Sequence, residues 1–400
     1  MGCQSNNATP PCPAIAPGAE SIDAAAVARA HRLDPRIPAH IPGFDAPFLQ
    51  AGLAGYSDAA MRIIARRHGC PACVTEALLD RTLLSNGHGF DKADLGELHD
   101  NVPGADDDHP LIGQVMGSDP DTMAAAALKM IEQGARPPRY YRDLAQGLDA
   151  PDDIIPSERT FAAIDVNLAC PVKKIAKKAR GGHWLREPQG ALDILRAVRD
   201  AVPAHIPTTV KLRRGSDDSA QAERNFLRIF DALYDMGYAW ATVHGRTVEQ
   251  KYVGPSRWTF LRELVRSRPD RVIFGSGDVW NAHDIFRMLD YTGVHAVSVA
   301  RGCIGDPWIF RQARDLMAGL PPREPTLAEQ REVLLEHFRL SCAVNGEQLA
   351  SKLMRKFGVR FAERHPSPDQ VRVRFIRVES IEDWRAVVEE FYPADEPVPV

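Results

Sequence analysis

Between residues 46 and 300, short apolar runs rich in β-branched residues alternate with longer stretches whose apolar positions recur at helical spacing. The runs at 46–51, 72–75, 111–115, 163–167, 208–212, 239–243, 272–275 and 296–300 predict eight strands. The stretches at 58–68, 120–133, 188–201, 220–236, 258–267 and 281–291 predict helices between them. Strands alternating with helices form parallel βαβ units, and eight such units in about 270 residues fit a closed barrel better than an open sheet. The fold class expected is therefore α/β: a (β/α)8 TIM barrel over residues 45–320, followed by a small C-terminal helical domain over 322–392. One stretch, 136–161, has four prolines and little periodicity. A connection from helix to strand normally takes about two to six residues, so this is an insertion, starting on the barrel face away from the strands' C-terminal ends. After Pro321-Pro322, Thr326 caps a helix reaching about Val344, with further helices to about Tyr392. Residues 1–44 are rich in Ala, Pro and Asn and are expected to form a mobile tail holding one short helix near 22–31.

Composition narrows the class. Of 400 residues, 44% are hydrophobic and 26% charged, so the body is globular. No apolar run approaches the roughly 18 residues of a membrane span. The net charge of −4 gives no global attraction to nucleic acid, so such a partner needs a local basic patch. Seven cysteines and no secretory signal pattern fit a reducing cytoplasm. Cys70-Pro71-Ala72-Cys73 reads as two reduced thiols at the entry to the second strand, because zinc would need two further ligands. No metal site is expected, and nothing demands more than a monomer.

In an eight-fold barrel, functional side chains lie just past the C-terminal ends of the strands. Those positions hold Gly52 after the first strand, Gln114 ending the third, Asn167 to Pro171 after the fourth, Lys211 and Arg213 on the fifth, His244 after the sixth, Gly275 to Asp278 after the seventh and Arg301-Gly302 after the eighth. The glycine-rich turns after the last two strands let backbone N–H groups approach a phosphate, and Arg301 adds charge. Lys211, His244 and Gln114 can hydrogen-bond a flat heteroaromatic cofactor, and Lys211 can stabilise negative charge on it. Cys170 sits on a turn fixed by Pro171 and could be an acid, a nucleophile or a small filler. His244 taken singly could be a structural histidine. Their placement after successive strands is what favours a site.

Two stretches are basic. Between 171 and 186 lie Lys173, Lys174, Lys177, Lys178, Arg180 and Arg186 with no acid. Between 351 and 378 lie eight Lys and Arg, including Arg355 and Lys356, against Glu363 and Asp369. One such run is usually a solvated face, whereas two, one beside the site and one in the helical region, fit a polyanion lying across both.

The stretch Asp165-Val166-Asn167-Leu168-Ala169-Cys170-Pro171-Val172-Lys173-Lys174, with Gly181-Gly182, resembles the signature of the tRNA dihydrouridine synthases. Ala54-Gly55-Tyr56-Ser57-Asp58, Val210-Lys211-Leu212-Arg213, Val243-His244-Gly245-Arg246-Thr247, Gly277-Asp278-Val279 and Arg301-Gly302 with Pro307-Trp308-Ile309-Phe310 follow in family order. The resemblance implies an FMN-binding barrel with an RNA-binding helical domain, which reduces the C5=C6 bond of particular uridines in tRNA with NADPH as reductant. It implies Cys170 as the catalytic acid, protonating C5 after hydride passes from FMN N5 to C6. Gln114, Lys211 and His244 would contact the flavin, and Gly277, Asp278, Arg301 and Gly302 its phosphate side. Lys173, Lys174, Arg355 and Lys356 would hold RNA. The alternative is an FMN barrel acting on a free pyrimidine or another small enone. Ala169, Gly52 and Ser276 depart from the family's usual Gly, Pro and Asn.

Overall fold

The computed structural model describes residues 15–84, 108–134, 160–172 and 181–394. Nine strands are present among them: β1 (Phe48–Gln50), β2 (Cys73–Val74), β3 (Leu78–Leu79), β4 (Leu111–Met116), β5 (Ala163–Leu168), β6 (Thr208–Arg213), β7 (Trp240–His244), β8 (Ile273–Ser276) and β9 (Ala296–Val299). All pairings are parallel. The ring runs β1-β2-β4-β5-β6-β7-β8-β9 and closes where Phe48 pairs with Val297. This is the expected eight-stranded barrel. The two-residue β3 is extra, pairing with the upper end of β4, and is too short to show in the pattern.

The helices carry their own stop and start signals. They are α1 (Ala24–Ala30), α2 (Arg36–His40), α3 (Ala59–Arg67), α4 (Asp80–Leu84), α5 (Pro120–Gly134), α6 (Pro188–Ala201), α7 (Ala220–Asp235), α8 (Trp258–Ser267), α9 (Ala282–Thr292) and α10 (Trp308–Met317). The C-terminal region adds α11 (Leu327–Asn345), α12 (Glu347–Phe361), α13 (Pro368–Ile376) and α14 (Ile381–Phe391). Asp58 caps α3 by accepting from the Met61 N–H, while Asn281 with Asp284 and Thr326 with Glu329 form capping boxes on α9 and α11. The C-terminal helices close on their own aromatic core, where Trp384 lies 5.2 Å from Phe338 and 4.6 Å from Phe375. Arg364 ties this region to the barrel through Asp306 and Glu324.

The expectation of a mobile tail to residue 44 is corrected for residues 15–44. Helix α1 packs on α9 and α10, and Asp23 caps it. Ile37, Ile41 and Phe44 are fully buried in one cluster with Leu49, Ile112, Trp240 and Phe274, so α2 and the turn after it plug the barrel base. Their i, i+4, i+7 spacing is an amphipathic signal that the surrounding Pro and Ala obscured. Most of the 136–161 insertion lies outside the described residues. No helix among the described residues is long and apolar enough to cross a membrane.

Candidate active site

Side chains alternate along a strand, and in this barrel the inward set changes character with height. At the base it is apolar: Leu49, Val74, Ile112, Ala163, Trp240, Phe274 and Ala296. Two residues further along most strands it is polar: Gln114, Asp165, Thr242, Ser276 and Ser298. Asn167, Lys211 and His244 stand at the mouth. The result is a cleft enclosing about 960 Å³, part of it open to solvent. Gln114, Cys170, Lys211, His244, Gly277, Asp278 and Arg301 all border it, as their sequence positions predict.

On one wall the polar side chains are locked together. The Gln114 amide Nε2 donates to Asp165 at 2.8 Å, and Asn167 Nδ2 donates to Gln114 Oε1 at 2.7 Å. Asn167 Oδ1 accepts the backbone N–H groups of Ala169 and Cys170, which fixes the turn that presents the thiol. Ala169 does not have positive φ, so alanine fits this turn without backbone strain. Burial raises the Cys170 thiol above the ordinary range, against a backbone hydrogen bond at Val172 and the charge of Arg213. The thiol is therefore protonated at neutral pH.

Facing it is a cluster of cations. Burial lowers Lys211 to about 8, offset in part by the charge of Asp165. Burial raises Asp165 to about 6, against hydrogen bonds from Thr209 and Gln114 and the charge of Lys211. The Lys211 ammonium makes no hydrogen bond to any described residue and is a donor available to a ligand. His244 is held well below its ordinary value, first by burial and then by Arg213, Lys211, Arg246 and Arg301, so it is neutral. Arg246 lies 3.4 Å from His244 Nε2 and can only donate, which puts the imidazole proton on Nδ1.

At the far side, Gly277 has φ +109, and a Cβ there would fall 2.5 Å from Ser256 and 2.7 Å from His244. Only glycine fits this approach. Asp278, expected to serve the phosphate side, spends its carboxylate otherwise: Arg246 Nη2 donates to both oxygens at 2.7 and 2.8 Å, and the Ser256 N–H donates at 2.6 Å. Only its backbone and its effect on Arg301, 3.8 Å away, remain for a ligand. Gly302 does not border the cleft. It lines a second cavity below Arg301, where a Cβ would meet the Val279 carbonyl at 2.4 Å, so its smallness serves backbone packing.

Two contributors were missed. Tyr252 and Trp280 border the cleft and hold the Arg301 guanidinium at 5.0 and 4.7 Å from their ring centres. Both are aromatic residues in loops following strands, a signal the sequence did carry. Lys173 and Lys174 lie outside the described residues. Arg355 and Lys356 are on α12, but Lys356 Nζ sits 4.8 Å over the Tyr56 ring, against the loop after β1. Arg360, Arg364 and Arg374 of the second basic run pair with Glu363, with Asp306 and Glu324, and with Glu390. Cys70 and Cys73 are buried free thiols, and no group of metal-ligating side chains occurs among the described residues.

The family model for dihydrouridine synthase matches residues 154–391, from the approach to β5 through the last helix. The chain belongs to the dihydrouridine synthase family. It is 30% identical over 352 residues to tRNA-dihydrouridine synthase B of Shewanella oneidensis, covering 86% of this chain and 94% of that protein. It is likewise 30% identical to the probable tRNA-dihydrouridine synthase of Treponema pallidum, covering 86% and 92%. Among solved structures, the old yellow enzyme homologue from Zymomonas mobilis aligns over 72% of this chain and 92% of its own, with a TM-score of 0.44 at 12% identity.

Proposed function

We propose that this dihydrouridine synthase binds FMN in the cleft and reduces the C5=C6 bond of a uridine in tRNA, with NADPH as the reductant. The residues present fit the flavin. Lys211 is a buried cation without a hydrogen-bond partner among the described residues, and Arg301, Arg213 and Lys211 together favour an anionic group. Lys211, His244 and Gln114 would hold the ring, and the Gly277 turn with Arg301 the phosphate. When bound, FMN supplies the hydride that uracil takes up at C6.

The chain's own part is proton delivery and positioning. Uracil C5=C6 is conjugated to the C4 carbonyl, so hydride addition at C6 leaves enolate-like charge that must be protonated at C5. Cys170, kept as a thiol by burial, is the donor. Lys211 supplies positive charge in a buried setting, where it acts more strongly than in water. A uridine inside a helix cannot reach the barrel mouth, so it must leave its stack. Arg355 and Lys356, with Lys173 and Lys174, would carry the RNA backbone.

The observation that carries this reading is the convergence of Cys170, Lys211 and His244 on one cleft of a dihydrouridine synthase barrel. The test is a mass-spectrometric dihydrouridine map of tRNA from cells lacking the gene, complemented with the wild-type or the Cys170→Ala chain. Loss at one position, restored by wild type and not by C170A, is expected. An unchanged map in the deletion, with no activity of the purified protein on that tRNA, refutes the RNA substrate and leaves the small enone.

A further inference from the structure

From below the cleft up to its wall runs a row of hydrogen bonds with a fixed direction. Asp165 is 4% exposed and does not border the cleft. Its Oδ1 accepts from Thr209 Oγ1 at 2.6 Å and its Oδ2 from Gln114 Nε2 at 2.8 Å. Gln114 Oε1 accepts from Asn167 Nδ2 at 2.7 Å, and Asn167 Oδ1 accepts from the N–H groups of Ala169 at 2.9 Å and Cys170 at 3.1 Å. The two ends of this row are fixed, because the backbone N–H groups of Ala169 and Cys170 can only donate. An ionised carboxylate can only accept, whereas a primary amide can rotate by half a turn and exchange donor for acceptor with almost no change of shape.

The two amides therefore have one orientation that satisfies both ends, and Asp165 sets the lower one. Because the carboxylate accepts, Gln114 must turn its NH2 downward and its carbonyl towards Asn167. Asn167 must then donate with Nδ2, which leaves Oδ1 as the one group able to take the two N–H groups of the turn. A flipped Gln114 would present a second donor to Asn167. Asn167 would answer by rotating, and its NH2 would then face the N–H of Cys170. Two donors cannot bond, so the turn would come loose.

We propose that Asp165 is a positioning residue, which orients the Gln114 and Asn167 amides and so holds the turn that aims the Cys170 thiol into the cleft. The role of that thiol rests on the function proposed above. The same carboxylate is the anion that supports the charge of Lys211, so one buried group orders both the acid and the cation of the site.

The test compares Asp165→Asn with Thr209→Val in the full-length protein supplied with FMN. D165N keeps shape and exchanges a fixed acceptor for an amide that can turn its NH2 to Gln114, leaving only the N–H groups of the turn to set the direction. T209V deletes a hydrogen bond to the same carboxylate without replacing the acceptor that faces Gln114. Two quantities are read: dihydrouridine formation on unmodified tRNA, and the rate at which iodoacetamide alkylates Cys170, followed by peptide mass spectrometry without substrate. For D165N, kcat is expected to fall about a hundredfold, the scale of a misplaced reacting group, with KM within about threefold. Cys170 alkylation should rise about fivefold or more as the released turn exposes the thiol. T209V should stay within about threefold of wild type on both readouts. D165N matching wild type on both overturns the proposal. So does T209V falling with D165N, because any loss of packing in the floor would then suffice. If the wild-type protein makes no dihydrouridine yet the alkylation contrast holds, the positioning role stands and the activity reading fails.

Discussion

Replacing Asp278 tests whether the Gly277 side of the cleft is held by a buried ion pair. Its side chain is 5% exposed and that of Arg246 is 1% exposed. Three hydrogen bonds end on its oxygens. Removing one partner of such a pair leaves an uncompensated charge and costs about 3–5 kcal/mol. Asp278→Asn keeps one acceptor and a residue that tolerates φ +58, so the lower end, about 3 kcal/mol, is expected. Asp278→Ala adds the left-handed penalty of an ordinary side chain, about 1–2 kcal/mol more. At roughly 2 °C per kcal/mol for a barrel of this size, the thermal midpoint should drop by about 6 °C for D278N and about 8–10 °C for D278A. The assay is thermal unfolding by circular dichroism at pH 7. The double variant D278N/Arg246→Leu should recover part of the loss, because no buried charge is then left unpaired. Recovery should be incomplete, since Arg246 also bonds the Gly254 carbonyl. A D278N midpoint within 1–2 °C (about 1 kcal/mol or less) of wild type, or strict additivity in the double variant, refutes the ion-pair argument.

Three further expectations follow from the charges. Activity should decline on the alkaline side near pH 8, as Lys211 loses its proton while the buried Cys170 thiol keeps its own; Lys211→Arg should move that limb upward, and a pH–rate profile reads it. His337 is buried against Phe357 with both ring nitrogens unpartnered and is lowered to about 3 by burial, with a smaller push from Lys356. Between pH 6.5 and 3 the unfolded chain therefore binds a proton that the folded chain does not. Stability from this site is present above pH 6.5 and is lost as pH falls, by up to about 1.4 kcal/mol per unit; His337→Phe should flatten that slope in acid denaturation. Arg355 makes no ion pair with a described residue, so Arg355→Ala should weaken tRNA binding and reduce the salt slope by about one phosphate contact, measured by titration at several salt concentrations.

How much of this was legible depends on the range of each interaction. The barrel was read well because a strand is a local pattern repeated eight times: each predicted run overlaps an observed strand, and the helices Pro188–Ala201 and Trp258–Ser267 fall where the spacing puts them. The plug of Ile37, Ile41 and Phe44 escaped because its partners are Trp240 and Phe274, some two hundred residues away. The i, i+4, i+7 spacing is the only local trace of it, and a stretch rich in Pro and Ala hides even that.

The site divides in the same way. Its members were legible because placement after a strand is enough to bring Cys170, Lys211 and His244 to one mouth. Their division of labour was not, since it depends on which polar atoms are already spoken for. Asp278 stands in a turn that suits phosphate, yet its carboxylate belongs to Arg246. Asp165 stands two residues below Asn167 on the same inward face, in a motif that draws attention to Cys170. Period-two reasoning places both beside the cleft, and only the hydrogen bonds separate a group that can meet a ligand from one that can only instruct its neighbours. In a barrel whose inward positions turn from apolar to polar along each strand, the layer between base and mouth is where such instructing groups must lie. A charge there is too deep to touch the substrate and too costly to keep unless its hydrogen bonds are used.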